Sequence, residues 1–425
     1  MMGGLLKFYE WTQLAISVGL LGVIFGVLGA VSDMGVYGVG FSEVGGFSVL
    51  LVLLVGLTVI GVMMGVDSGL GLMGQGFSLL LMAVLMVGFF IFDSWLWFYV
   101  SYEGVLVPLL VVVVVWGVYY ERVGSCLYLI LYTALFSVPL LVMVLLGLSS
   151  GLVVWLHDSG GLVLSGVGGG LVCILLGAML VKVPVYGLHM WLPKVHVEAP
   201  TWGSMVLAGV VIKLGGYGMG VMEEAGLGGW VVLLIGVWAV VGGCISGLYC
   251  LMVGDVKSMV AYSSVVHMAL LIWLLGFMSS GVWWGVLVVV VVHGLVSMAM
   301  FSFVGGCSES KGSRSVVVLK GVVSMLSFSG ALFMLMVVWN MGFPLSAGVV
   351  GEVQGFYYMM MLGAVGVVMM GVYMVVGCLF SLWLGVMLSG GLVGEVSLKS
   401  GASSLVEAAY LVGSAMVLLG VVMFI

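Results

Sequence analysis

The sequence predicts an all-α polytopic membrane protein with about 13 transmembrane helices. Three observations predict it. Of 425 residues, 64% are hydrophobic and only 6% are charged. A soluble domain carries about 25% charged residues, so this chain has too little polar surface to face water and too much apolar surface to stay unfolded. The apolar residues fall in long continuous runs, not in the alternating segments of a transmembrane barrel. The few charges collect between those runs and sort by sign.

The spans read, in order, 14–31, 46–66, 76–92, 95–116, 126–148, 168–191, 201–220, 228–252, 256–277, 281–305, 321–358, 360–388 and 405–425. The first follows MMGGLLKFYE, which lacks a cleavable signal pattern, and is expected to be a retained helix. Asp33, Asp67, Asp93, Arg122 and Asp158 punctuate the first six runs. The sixth carries Lys182 and Pro184, which predict a break, because proline removes an amide donor and clashes with the preceding turn. The eleventh is too long for one straight crossing and holds Asn340, Gly342 and Pro344, so it is expected to be broken too. Freed backbone groups need protein or cavity water as partners, so both breaks should face inward.

Numbering each loop by the helix it follows, with the N-terminus as zero, Lys7, Arg122, Lys194, Lys311, Arg314, Lys320 and Lys399 fall on even loops, with Lys257 on the same side. Odd loops hold Asp33, Glu43, Asp93, Asp158, Glu223 and Glu224, and no Lys or Arg. The positive-inside rule puts the N-terminus on the basic side and the C-terminus opposite. The two broken spans lie five apart, hence antiparallel, as in an inverted repeat built around an ion path. The expected organisation is N-terminal helices over 1–75, a first repeat over 76–220, a second over 221–390 and a C-terminal helix over 391–425.

Several chemistries are excluded. Two Arg and eight Lys are too few for nucleic-acid binding. There is no phosphate loop and no dinucleotide fingerprint. The six Cys are scattered through apolar runs without a CxxC pair, so no zinc, haem or iron–sulfur site is expected. The composition favours residues with G- and T-rich codons, while Asn occurs once, Gln three times and Thr four times. That pattern suggests a strand-biased organellar gene.

Ionisable residues inside spans need a reason, because a charge at the bilayer centre costs about 2.5–3.5 kcal/mol or more. Glu103, Lys182, Lys213, His293 and Glu352 form such a series. Burial lowers a lysine pKa and raises a glutamate pKa, bringing both toward neutrality, while an opposite charge nearby does the reverse. A Glu–Lys pair that breaks and reforms could thus switch proton affinity. These five are the candidate proton relay; static buried ion pairs are the competing reading. His189, His196, Lys257 and His267 are secondary candidates, and His267 and Glu407 also suit structural or interfacial roles. The segment 182–213 holds three of six Pro, two of five His and three of eight Lys. His189, His196 and Glu198 could ligate a metal, but the spacing is not a short helical one and the lysines oppose it. A proton access funnel or a capped interfacial loop suits the segment better.

LVKVPVYGLHMWLPKVHVEAPTWGSMVLAGVVIKLGGYGMG resembles the signature segment of the antiporter-like membrane subunits of respiratory complex I. The resemblance continues in FYVSYEGVLVPLL, GDVKSMVAYSSVVHMALL, VVHGLVSMAMFSFVG and WNMGFPLSAGVVGE, from about residue 93 to 360. It implies an antiporter-like fold with two inverted repeats, and proton pumping coupled to quinone reduction elsewhere. It makes Glu103 and Lys182 the coupled pair, Lys213 the bridging lysine, His293 the central histidine and Glu352 the terminal acid. A Glu at 352 resembles the mitochondrial chain 4 branch rather than chains 2 and 5, where Lys is usual. The family has fourteen spans, so loss of the first is expected here; Trp202 in EAPTWGS also departs from the pattern. The resemblance further implies the mitochondrial inner membrane with the N-terminus in the matrix and the C-terminus in the intermembrane space. It implies antiporter-like neighbours on both sides, accessory subunits, and phospholipids including cardiolipin. FMN, iron–sulfur clusters and ubiquinone would belong to partner subunits, with no cofactor in this chain. An Mrp-type sodium/proton antiporter subunit, or a structural subunit that no longer pumps, would share the fold.

Overall fold

The computed structural model describes residues 43–65, 72–92, 94–149, 169–224, 229–277, 280–342, 346 and 348–390. Described secondary structure is helical, with an isolated antiparallel bridge between Asp255 and Ser315. Among the described residues, eight helices are long and apolar enough to cross a membrane, or nine if one bent pair counts as a span. The expected spans 14–31 and 405–425 lie outside the described residues.

The first helices are α1 (Glu43–Gly65) and α2 (Leu72–Ile91). The expected span 95–116 is a single crossing read as α3 (Trp95–Gly104) and α4 (Leu106–Trp116), with one turn residue, Val105, between them. Pro108 cannot donate to the Gly104 carbonyl four residues back, which leaves one gap in the amide ladder there. Next come α5 (Arg122–Ser149) and α6 (Gly169–Lys182). Pro184 ends α6, and the Val185 amide reaches back to the Leu180 carbonyl at 3.4 Å.

One expectation is corrected here. The stretch after this break, placed beyond the sixth span as a loop, forms α7 (Trp191–Glu198). Its Trp191, Leu192, Val195 and Val197 are buried, and α7 packs on α5. Pro193 falls in the first turn, where a missing amide is tolerated.

The span 201–220 is α8 (Thr201–Val206), a π-helical turn over Leu207–Val211, and α9 (Ile212–Glu224). It is followed by α10 (Trp230–Cys250), α11 (Val256–Leu275) and α12 (Ser280–Lys311), the last running six residues past its expected end. The eleventh expected span also departs from its reading. Short turns α13 (Val316–Leu319) and α14 (Val322–Met325) precede α15 (Ser327–Asn340), and the first limb is bent 112° from the second. Leu326, at φ −96° and ψ +78°, stands at the bend, and Gly321 at φ +74° separates the two short turns before it. The expected break past Asn340 is present, before α16 (Gly348–Met360), although Pro344 lies outside the described residues. The last described helix is α17 (Ala364–Ser389).

Burial divides these helices into a centre and a rim. The α8–α9 span is wholly enclosed by its neighbours, and α11 and α12 are 94% enclosed, whereas α5 is 28% and α17 33% enclosed. The enclosed helices are the ones that carry Lys213, His267 and His293. Rim helices expose apolar rows such as Leu127, Leu131, Leu135 and Val138 on α5. The molecule therefore places apolar surface outward and its ionisable groups inward, as a membrane interior requires.

Candidate functional site

The first cluster forms where the α3 end meets the α6 end. Lys182 is 1% exposed, and its Nζ lies 4.0 Å from Glu103 Oε1. The ammonium also donates to the Tyr102 carbonyl and sits over the Tyr102 ring, 3.1 Å from its centre. The Tyr102 hydroxyl donates to the Ala178 carbonyl at 2.6 Å. One positive charge is thus met by a carboxylate, a carbonyl and an aromatic face, all from consecutive residues of α3.

The second cluster sits at the enclosed centre. Lys213 is fully buried, and its Nζ lies 3.0 Å from His293 Nδ1 on α12. The π turn prepares this contact. The Ile212 amide bonds the Leu207 carbonyl, five residues back, instead of Ala208, four back. The Ala208 carbonyl loses its α-helical donor, and the Lys213 ammonium supplies one. Such single-turn π bulges are frequent at functional positions. The two clusters are joined by the α6–α9 packing. Gly215 makes that approach possible, since a Cβ there would come within 2.9 Å of the Val183 amide nitrogen.

A third cluster lines a cavity of about 30 Å³ between α11, α12 and the second break. Its polar walls are His267, His293, Asn340 and Glu352. The His267 and His293 rings lie 5.4 Å apart. Gly342 ends the α15 limb at φ +74°, a conformation that favours glycine, and a side chain there would run into the Glu352 carboxylate. His267 Nε2, His293 Nε2, Asn340 Nδ2 and Ser346 Oγ are buried without a hydrogen-bond partner among the described residues. Buried polar atoms are nearly always satisfied, and the cavity exceeds the ~10–15 Å³ that one water needs.

All five principal candidates thus fall in three adjoining clusters. The secondary ones divide. His267 joins the cavity wall. His196 is fully buried, stacks on Phe301 at 4.4 Å, and has neither ring nitrogen bonded. Lys257 is 1% exposed, in the first turn of α11. His189 stands apart: it stacks on Tyr186 at 5.1 Å, and its Nδ1 accepts from the Gly187 amide at 3.2 Å, bracing the turn. Glu198 pairs with Arg314 at 3.5 Å, and Arg314 reaches Asp255 at 3.4 Å and the Tyr119 ring, tying three loops together. No group of three or more His, Cys, Asp or Glu is placed to hold a metal ion among the described residues.

Sequence reasoning treats Asn340 only as part of a helix break and passes over Tyr102. A signal for the first exists: it is the one Asn of the chain. Tyr102 carried no comparable signal among 16 tyrosines.

The fold and these clusters define a polytopic helical membrane protein with ionisable groups in its interior, carried on broken and bulged helices. Residues 93–381 match the family described as NADH:quinone oxidoreductase/Mrp antiporter, transmembrane, and the chain belongs to that family. The NADH-ubiquinone oxidoreductase chain 4 of Arbacia lixula is 36% identical over 272 residues, covering 60% of this chain and 57% of that protein. The chain spans about three fifths of the length of the curated relatives it matches. A chain of respiratory complex I from Thermus thermophilus superposes with a TM-score of 0.75 at 20% identity, covering 88% of this chain and 80% of that one. A chain of the Mrp complex from Dietzia gives a TM-score of 0.75 at 19% identity, covering 88% and 42%. These two likenesses speak for the fold.

Proposed function

We propose that this chain is a proton-translocating membrane-arm subunit of respiratory complex I in the mitochondrial inner membrane. The observation that carries the reading is the buried Lys213–His293 contact of 3.0 Å. It lies between the Glu103–Lys182 pair and the cavity of His267, Asn340 and Glu352, so one imidazole–ammonium contact bridges two halves. In this reading Glu103 and Lys182 form a pair that opens and closes. Lys213 passes the proton to His293, and Glu352 is the terminal acid, reached through water in the cavity. His196 and Lys257 serve the basic side, His267 assists His293, and His189 holds its turn. The repeats 76–220 and 221–390 each supply half of the path.

Names of the relatives support the assignment to complex I. Moving one proton against 100 mV takes about 2.3 kcal/mol, and the source of that energy is NADH–ubiquinone electron transfer on partner subunits that hold FMN, iron–sulfur clusters and ubiquinone. Neighbouring antiporter-like and accessory subunits and cardiolipin would cover the apolar rim. The N-terminus faces the matrix and the C-terminus the intermembrane space. A sodium/proton antiporter subunit of the Mrp type is the second reading, supported by the other half of the family description.

Lys213→Met in the complex reconstituted into vesicles tests the proposal. Proton translocation should fall about tenfold, equivalent to ~1.4 kcal/mol on the barrier, with assembly intact on native gels. Unchanged translocation would overturn the reading. Translocation that requires sodium would favour the Mrp alternative.

A further inference from the structure

We infer that Tyr102 is a positioning residue, whose ring face holds the Lys182 ammonium in place while its pairing with Glu103 breaks and reforms. The inference rests on the relay reading above, because it gives Tyr102 a task within the first pair.

Geometry carries it. Lys182 Nζ lies 3.1 Å from the ring centre, well inside the ~6 Å reach of a cation–π contact. The carboxylate of Glu103, 4.0 Å away, approaches from another direction. Consecutive helical residues point about 100° apart, so residues 102 and 103 of α3 grip one ammonium from two sides. The two grips differ in kind. A carboxylate holds a charge at a point, whereas a ring face attracts it over an area and tolerates sliding. When Lys182 leaves Glu103, the ring still compensates part of its charge.

The ring itself is fixed. Tyr102 is 1% exposed. Its hydroxyl is tied to the Ala178 carbonyl, one turn before Lys182 on α6. Phe98 stacks parallel to it at 6.4 Å, and Phe89 packs at 5.7 Å. Phe89 also touches Tyr217, one turn beyond Lys213 on α9, at 5.7 Å. One aromatic side chain therefore backs both the ring under Lys182 and the helix that carries Lys213.

The test uses the reconstituted complex and four variants: Tyr102→Phe, Tyr102→Leu, Glu103→Gln and the double Tyr102→Leu/Glu103→Gln. The readout is protons moved per NADH oxidised. Tyr102→Leu should lower it about three- to tenfold, from loss of the cation–π contact. Tyr102→Phe, which keeps the face and loses the hydroxyl, should restore most of it. The double variant should be no worse than Glu103→Gln alone, because the ring affects translocation only through the breaking and reforming of the Lys182–Glu103 pair, which Glu103→Gln has already removed. Equal loss in the Phe and Leu variants would overturn the inference, as would losses that multiply in the double. If Tyr102→Leu does not assemble, Tyr102→Met takes its place, and failure of both would make the ring's role one of folding and overturn the inference. Loss in Glu103→Gln with none in Tyr102→Leu would sink this inference alone. No loss in Glu103→Gln would sink the relay reading beneath it.

Discussion

Lys182 is a full charge in a nearly dry place, and three groups of α3 offset its burial. Their exposures are unequal. The Lys182 side chain is 2% exposed and that of Glu103 is 23% exposed. Removing either partner therefore has different consequences. Glu103→Gln leaves the ammonium its carbonyl and its ring, and Lys182→Met leaves a carboxylate that is 23% exposed. Both variants should assemble, and both should lower NADH-driven proton translocation by about tenfold, ~1.4 kcal/mol. Native gels and a pH-indicator assay on vesicles check this. A complex missing from the gels would instead mark a static pair holding the helices. The residues of this pair were legible in the sequence because charge inside an apolar run stands out. Tyr102 was not, since an aromatic residue in such a run is ordinary and only its position over Nζ gives it meaning.

At the scale of elements, the proline-containing breaks were legible and the bulge was not. Pro184 interrupts the amide ladder by a covalent rule, and α6 ends before it. MVLAGVVIKLGG carries no residue that forbids a regular helix, so its π turn follows from packing inside an enclosed bundle. The α7 helix was hidden for a similar reason: its charged and imidazole side chains suggested a loop, while its four apolar residues are buried against neighbours. Gly342 ties an element to its chemistry. Gly342→Ala would strain the left-handed position by about 1–2 kcal/mol and drive a methyl group toward the Glu352 carboxylate. The expected result is an assembled complex with lowered proton translocation. Translocation equal to the parent's would show that Glu352 does not depend on the turn.

Across the whole molecule, enclosure grades from rim to centre, and the graded variable was only partly legible. Composition implies many crossings, but the runs of α5 and α12 are equally apolar, and only tertiary contact enclosed one and left the other 28% enclosed. Orientation is a property of the same scale. The acidic odd loops predict that position 224, at the end of α9, faces the intermembrane space. A Cys placed there in an otherwise Cys-depleted chain should react with an impermeant maleimide from that side. Reaction from the matrix side alone would reverse the whole topology.

The π turn under Lys213 also has an arithmetic meaning. The segment 207–211 holds one residue more than an α-helix of the same rise would need. Chain length, and not only residue identity, is therefore set at this point. Deleting any one residue there would let the helix close, leave the flanking faces of α8 and α9 aimed as they are, and take away the spare carbonyl on which the central lysine rests.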